Sequence, residues 1–170
     1  MTIDAQNISI RPIAAADIES MVDCVNAVFL ERLYLAYVEP QERANSVAYF
    51  ASGIADGFPR VVAVHGDTVV GWCDVTPAAS ERAMAQRHVG RLGMGLLPPY
   101  RGMGLGRQLI SQCLNGCHGK WERIELGVYS HNERAHKLYL RCGFIEEGRR
   151  RGAWKLDGMT SDIIEMALFI

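Results

Sequence analysis

The chain has 170 residues, of which 49% are hydrophobic and 22% are charged, and its formal net charge is -1. This length suits one domain with a substantial core, and the composition excludes extended disorder. Because basic and acidic residues nearly balance, the charge favours neither nucleic acid nor an anionic membrane as a partner. No apolar run approaches the roughly 18 residues that span a bilayer. Five scattered cysteines do not form a disulfide pattern, so we expect one cytoplasmic domain over residues 1–170.

The hydrophobic pattern predicts a mixed α/β order of elements. Asp17 is the expected N-cap of the first helix, and Gly53 the expected end of the second. Ser130 and Glu133 form a capping box for the last helix, after which Gly143 suits a left-handed conformation. In chain order, the predicted elements are strand 8–11, helices 18–30 and 41–52, strands 60–64, 68–73 and 87–97, helix 104–114, strand 123–129, helix 131–141, and strands 146–154 and 159–169.

A glycine-rich turn at residues 100–106, with the sequence Tyr-Arg-Gly-Met-Gly-Leu-Gly, follows the predicted strand 87–97. Its alternating glycines permit positive φ and let a ligand approach the main chain closely. Since a helix begins here, free N–H groups and the helix dipole favour a phosphate. Arg101 and Arg107 would add mobile positive charge. The turn therefore predicts a pyrophosphate site, the alternative being an ordinary strand-to-helix turn.

Two common nucleotide motifs do not match this turn. A P-loop ends in Gly-Lys followed by Ser or Thr, whereas here Gly106 is followed by Arg107 and Gln108. A dinucleotide motif counted from Gly102 would require a third glycine at Arg107. Some 90 residues also precede the turn, although dinucleotide folds usually place it after their first strand. Neither a P-loop nor a dinucleotide fold is favoured.

A third pattern, R/Q-x-x-G-x-G/A, is filled by Arg101, Gly104 and Gly106. Residues 96–106 resemble the acetyl-CoA-binding motif of the GNAT superfamily of acyl-CoA N-acyltransferases. Residues 125–144 resemble the second motif of that family, and the matching positions are Asn132, Ala135, Leu138, Tyr139, Gly143 and Phe144. The resemblance covers most of the chain and is nearest to bacterial enzymes that acetylate small amines or amino acids. It implies an α/β fold whose mixed sheet has about seven strands and four helices, splayed between the fourth and fifth strands.

The resemblance implies an enzyme that moves an acetyl group from acetyl-CoA to a primary amine within a ternary complex. Residues 94–96 would present backbone groups to the pantetheine arm. Tyr139 would act as the general acid that protonates the departing CoA thiolate. Asn132 lies seven residues earlier, which places both on one helix face. The expected acetyl-CoA contacts are Met94, Gly95, Leu96, Arg101, Gly102, Met103, Gly104, Leu105, Gly106, Arg107, Asn132 and Tyr139.

The general base is not evident from the resemblance. At pH 7 only about one part in 2,500 of an alkylamine is neutral, so a proton must be removed. The family often uses a glutamate early in the strand before the phosphate turn, but here that position is Gly90. His88 is the first substitute, with Glu39, Asp74, Glu125 or a water chain as alternatives.

The remaining expectations concern partners. The acceptor is expected to be a small-molecule amine that approaches around residues 34–40 and 76–87. We expect no metal, no nucleic acid and no membrane partner, and a homodimer is an open expectation. Two alternatives share the fold. A non-catalytic acyl-CoA-binding regulator would keep the turn and could dispense with Tyr139, whereas a protein N-terminal or lysine acetyltransferase would need an open groove.

Overall fold

The computed structural model describes residues 7–80 and 82–170. Within these ranges the order and type of the helices and strands are those predicted from the sequence. Short 3₁₀ turns precede the first helix, the fourth strand and the third helix. The bounds are β1 Ile8–Pro12, α1 Ile18–Leu30, α2 Arg43–Ala55, β2 Arg60–His65, β3 Thr68–Pro77, β4 Val89–Leu96, α3 Leu105–Asn115, β5 Arg123–Tyr129, α4 Glu133–Arg141, β6 Ile145–Leu156 and β7 Met159–Phe169.

The strands form a seven-stranded mixed sheet in the order β1-β2-β3-β4-β5-β7-β6. β4 and β5 are parallel, and the chain between them contains α3, because parallel neighbours need a long crossover connection. The pairs β1–β2, β2–β3, β5–β7 and β6–β7 are antiparallel. This is the GNAT-type sheet expected from the resemblance. None of the helices described is long and apolar enough to cross a membrane.

By its internal contacts the chain divides into two compact units. The first comprises the described part of Met1–Asp74 together with Met94–Gly116, and the second comprises Val75–Gly93, apart from residue 81, together with Cys117–Ile170. β4 therefore contributes its first part to the second unit and its last three residues, 94–96, to the first. Whether the chain folds as the single domain expected from the sequence stays a prediction.

The core of the first unit lies where α1 and α2 pack on β2 and β3. α1 has the predicted bounds, because its apolar residues recur at helical spacing and are buried together. Asp17 is its N-cap residue but makes no side-chain cap, since its carboxylate binds Arg11 and the N–H of Ala14 instead. The buried cluster contains Ile18, Met21, Val22, Cys24, Val25, Val28, Phe50, Val62, Val64, Val69 and Trp72.

The predicted end of the second helix at Gly53 is wrong. α2 continues to Ala55, and the left-handed residue after it is Gly57, with φ of 66°. Gly53 serves a different purpose: a Cβ there would lie 2.9 Å from Nη1 of Arg60. This glycine therefore leaves space for a buried guanidinium and does not end the helix.

In the second unit, β4 and β5 pair only over a short stretch. Val89–Arg91 align with Arg123–Glu125, and within these fully described strands Leu92 and Gly93 have no partner on β5 in this register. The pairing ends while both strands continue, as the expected splay requires. β5 pairs along its whole length with β7. β6 lies at the edge of the sheet and is exposed from Ile145 to Ala153.

Candidate functional site

The glycine-rich turn adopts the left-handed geometry expected of it. Gly102 and Gly104 have φ of 85° and 82°, which L side chains rarely adopt. A Cβ at Gly104 would meet no described atom within 4 Å, so the glycine is required for its conformation and the space beside it is open. The backbone of the turn is therefore accessible to a ligand.

The turn opens directly onto the N-terminus of α3. Gly104 is the N-cap residue, and no described side chain caps the helix there. The first helical bond is donated by the N–H of Gln108 to the carbonyl of Gly104, at 3.5 Å. The preceding N–H groups of residues 105–107 have no acceptor within the helix, and the positive end of the helix dipole lies beside them. A phosphate fits this arrangement, and the exposed Arg107 adds positive charge.

The chain before the turn is held by neighbours within the first unit. The N–H of Leu97 donates to the carbonyl of Val70 at 2.9 Å. In the 3₁₀ turn that follows, the hydroxyl of Tyr100 is hydrogen-bonded to Nδ1 of His65 at 2.9 Å. β2 and β3 thus fix the entry to the glycine turn.

Arg101 does not supply the mobile positive charge expected from the sequence. Its Nε donates to the carbonyl of Leu96 at 2.8 Å, and Nη1 donates to Oε2 of Glu31 at 2.8 Å. Nη2 binds the other oxygen of Glu31, and the guanidinium lies 5.1 Å from the centre of the Tyr34 ring. Both charged side chains are only about one-fifth exposed, at 20% and 19%. The expectation fails because Glu31, 70 positions away, neutralises this charge.

The last residues of β4, predicted to face the pantetheine arm, pack closely on β3. A Cβ at Gly95 would lie 2.3 Å from Cη2 of Trp72. A Cβ at Gly71 would lie 2.3 Å from Cδ2 of Leu96. Packing against the Trp72 ring therefore requires a glycine at position 95, whereas a side chain at position 71 would have to displace Leu96. The carbonyl of Leu96 already accepts from Arg101, and the role of Met94–Leu96 toward a ligand stays a prediction.

The second motif lies at the end of β5 and along α4. The prediction that Ser130 caps the last helix is wrong. Its hydroxyl is hydrogen-bonded to Ser161 at 2.9 Å and accepts from the N–H of Asp162 at 3.2 Å. Asn132 is the N-cap, and its side-chain oxygen accepts from the N–H of Ala135 at 3.2 Å. The helix thus begins at Glu133. Asn132 was predicted to share a helix face with Tyr139, but it lies just before the first helical residue.

Tyr139 is buried within α4 and packs edge-on against Phe144, with ring centres 5.9 Å apart. Gly143, between them in the chain, has φ of 93° and so confirms the left-handed position predicted at the end of this helix. The turn it makes brings Phe144 back against the helix, where the N–H of Phe144 donates to the carbonyl of Tyr139 at 3.1 Å. The ring of Tyr139 is therefore buried and packed where the helix ends.

Sequence reasoning missed an aromatic cluster in the second unit. The exposed His131 stacks on Tyr129 at 5.6 Å and lies 4.9 Å from the ring centre of Trp154. Burial raises the pKa of Tyr129, an effect that the positive charge of Arg150 opposes. The signal was present in part, since Tyr129 and His131 lie within the second motif, but Trp154 joins from β6.

The proposed bases lie in very different surroundings. His88 is exposed directly before β4, and its carbonyl accepts from the N–H groups of Glu122 and Arg123 at 3.0 and 3.2 Å. At Gly90, a Cβ would lie 2.6 Å from Cγ1 of Val75 and 3.0 Å from Trp121. Packing therefore closes the position where the family often carries a glutamate.

The alternative bases are mostly engaged in ion pairs. Oδ2 of Asp74 accepts from Nε and Nη2 of the buried Arg60 at 3.0 and 2.8 Å. Burial raises the pKa of Asp74, and these two bonds oppose that shift. Glu125 pairs with Arg91 at 2.7 Å, whereas Glu39 is exposed. Asp74 is therefore a structural partner, which makes it a poor candidate for proton transfer.

Comparison with known proteins identifies the family. Residues 27–144 match the Acetyltransferase (GNAT) family. The chain belongs to this family. As a GNAT protein it is an acyl-CoA-dependent acetyltransferase, with the acyl-CoA as its co-substrate.

Individual relatives are distant but cover nearly the whole GNAT chain. This chain is 23% identical over 153 residues to the L-amino acid N-acyltransferase MnaT of Escherichia coli (strain K12). The aligned region covers 86% of this chain and 88% of MnaT. A phosphinothricin acetyltransferase (Pat) from Sinorhizobium meliloti, solved in complex with acetyl-CoA, has a TM-score of 0.87 at 20% sequence identity. The match covers 96% of this chain and 89% of that one. The structure of a ribosomal-protein-alanine N-acetyltransferase from Brucella melitensis has a TM-score of 0.86 at 23% sequence identity. The match covers 95% of this chain and 99% of that one. At such identities the solved structures show a shared fold.

Proposed function

We propose that the protein transfers an acetyl group from acetyl-CoA to the primary amine of a small molecule. The observation that supports this most is the open glycine turn at the uncapped N-terminus of α3, which fits a pyrophosphate. Among the relatives, MnaT is named for L-amino acids and matches over 86% of this chain, which favours a small amine. Acetylation of protein N-termini stays the alternative, because another relative of similar fold is named for a ribosomal protein.

The proposed reaction needs no covalent acyl-enzyme. The neutral amine attacks the thioester carbonyl, a C–N bond forms as the C–S bond breaks, the amine loses a proton and the thiolate gains one. Binding both substrates together supplies proximity and orientation, which are large contributions to such transfers. In this scheme the backbone of residues 102–107 holds the donor through its phosphates.

Tyr139 is the proposed proton donor to the thiolate. With a thiol pKa near 8.5 and a phenol pKa near 10, that transfer is uphill by about 2 kcal/mol. The packing of Tyr139 on Phe144 suits a group that orients the sulfur by a hydrogen bond as the proton moves. For the amine proton, we propose His88 or a chain of water molecules, since Gly90 is closed by packing.

The first experiment is a thermal-shift measurement with acetyl-CoA. A ligand present at 100 times its dissociation constant adds about 2.7 kcal/mol of stability. We then expect release of free CoA thiol with at least one member of a panel of amino acids and alkylamines. No thermal shift at saturating acetyl-CoA contradicts the proposal. Binding without turnover on amines or peptides favours the regulator, and turnover on peptides alone favours protein acetylation.

Replacing Tyr139 with phenylalanine tests the proposed acid. We expect kcat to fall on the order of 10²-fold, because general acid catalysis contributes at least that much, while acetyl-CoA affinity changes little. Tyr49→Phe is the matched control, since Tyr49 is a half-exposed tyrosine on α2. Unchanged kcat in Tyr139→Phe would remove this residue from the mechanism.

The homodimer and the cytoplasmic location stay predictions. Sedimentation of the purified chain at several concentrations tests the first, and fractionation of cells tests the second.

A further inference from the structure

Arg101 connects two parts of the first unit that are far apart in sequence, the end of β4 with the glycine-rich turn and the chain that follows α1. Its side chain binds the carbonyl at the end of β4, the carboxylate of Glu31 after α1, and the ring of Tyr34. Arg101 itself belongs to the glycine-rich motif. These three groups therefore meet at one partly buried guanidinium.

The chain that follows α1, residues 32–42, is attached to the first unit at several points, one of which is Tyr34 at the guanidinium of Arg101. It starts with Arg32 at φ of 56°, a left-handed conformation that turns the chain away from the helix. Leu35 packs against the buried core, and Tyr37 contacts Phe29 with ring centres 5.9 Å apart. Tyr37 is otherwise 63% exposed. We call residues 32–42 the tethered segment, because Arg101 holds it at Tyr34.

The bonds of Arg101 argue against a direct contact with phosphate. The two oxygens of Glu31 neutralise the guanidinium and occupy its paired N–H groups, and Nε is used by Leu96. Three of its five N–H donors are used, so a phosphate could reach only the two that remain, on a guanidinium whose charge Glu31 already neutralises. The neighbouring Arg107 is exposed and can supply charge.

We infer that Arg101 is a positioning residue that couples the glycine-rich turn at residues 100–106, the donor turn, to the tethered segment. Binding of acetyl-CoA then orders the segment and improves amine binding. This inference rests on the proposed function for its ligands. The physical basis is that any ligand held by the turn also stabilises the position of Arg101, and through it Glu31 and Tyr34. Such coupling is reciprocal, so the amine should equally favour acetyl-CoA.

The test measures backbone hydrogen exchange of residues 32–42 in the full chain, with and without acetyl-CoA. We expect acetyl-CoA to slow exchange in the wild type and to have little effect in Glu31→Gln or Arg101→Lys. Both variants should also raise the KM for an amine about five- to tenfold while kcat changes little. The double variant should be no worse than either single variant, because one contact is lost in each case.

A matched control is available in the second unit. Arg123 and Glu147 form a similar two-pronged pair, with side chains 20% and 35% exposed, and Arg123 also lies 5.4 Å from the ring of Phe169. Glu147→Gln should lose a similar amount of stability but leave the exchange of residues 32–42 and the amine KM unchanged.

The outcomes separate the two proposals. If the wild type does not bind acetyl-CoA, the proposed function fails, whereas faster exchange of residues 32–42 in free Glu31→Gln still reports the tether. If the wild type binds acetyl-CoA but Glu31→Gln shows wild-type exchange and KM, the coupling is wrong. If Arg101→Lys weakens acetyl-CoA binding and Glu31→Gln strengthens it, Arg101 contacts phosphate directly and the inference is overturned.

Discussion

Arg60 and Arg101 are surrounded by the same kinds of groups in two regions of the first unit. Each binds a carboxylate, each lies over an aromatic ring, and each donates to a backbone carbonyl. Arg60 is buried beneath α2, with its side chain 1% exposed, and it binds Asp74. Arg101 is 20% exposed and lies in the donor turn. The contacts are alike, so the different roles proposed for the two arginines, support of the core and service to the site, follow from placement.

The largest expected effect separates these two roles. Asp74→Asn should lower the free energy of unfolding by about 3–5 kcal/mol, because it leaves the buried charge of Arg60 without a partner of opposite charge. The amine KM of the folded fraction should not change. Urea denaturation measures the first and steady-state kinetics the second. The double variant Arg60→Met, Asp74→Leu should recover much of the loss, and a loss below about 1 kcal/mol in Asp74→Asn alone would contradict this role.

The turn beside Arg101 can be broken without changing its charges. Gly104→Ala should cost roughly 1–2 kcal/mol of stability, since alanine is strained at φ of 82°. Gly119→Ala is the control: φ there is 79°, and a Cβ would also meet no described atom within 4 Å. Urea denaturation should show similar losses, but a binding titration should show weaker acetyl-CoA affinity only for Gly104→Ala. Equal affinities would place the phosphate elsewhere.

In the second unit, Asn132 combines a structural bond with a predicted ligand contact. Asn132→Ala should cost about 1 kcal/mol, because the N-cap of α4 is lost, whereas Asn132→Ser keeps a capping oxygen and most of the stability. Thermal unfolding checks this pair. Acetyl-CoA titration of the serine variant then sharpens the comparison, since reduced affinity at wild-type stability identifies a ligand contact.

The smallest expected effect concerns Asp17, in a more exposed arginine pair with Arg11. Hydrogen bonds from Arg11 hold the pKa of Asp17 below its ordinary value, so the folded state favours the carboxylate. The stabilisation is present above the unfolded pKa of about 3.9 and is lost as pH falls through the lower folded pKa. At pH 7 Asp17→Asn should lose less than about 1 kcal/mol, because Arg11 is 41% exposed. Urea denaturation from pH 7 to 3 should show the difference between the two proteins shrinking once the pH falls below about 3.9.

Much of the fold could be predicted because its signals are local. The apolar spacing of residues 18–30 identifies α1 with its observed bounds, and the strand 123–129 is equally accurate. The end of α2 was wrongly predicted at Gly53, because sequence alone does not distinguish a glycine within a helix from a glycine that follows one. What distinguishes them is the guanidinium of Arg60, which comes from β2.

The site was predicted to a similar extent and for the same reason. The left-handed glycines at 102 and 104 follow from a motif of seven neighbouring residues. The partner of Arg101 could not be predicted, because Glu31 precedes it by 70 residues and belongs to no motif. At α4, Ser130 and Asn132 both satisfy capping rules two residues apart, and only the contacts of Ser130 with Ser161 and Asp162 decide between them.

The closed position at Gly90 has a consequence for the choice of acceptor. With Val75 and Trp121 in contact range, no carboxylate side chain at this position can take the proton from the amine. The acceptor's own basicity then sets how much nucleophile is present. At pH 7 about one part in ten of a peptide-like α-amino group is neutral, compared with about one part in 2,500 of a lysine-like amine. At pH 7, weakly basic amines therefore present about two hundredfold more neutral nucleophile than lysine-like amines, before His88 or a water chain takes part.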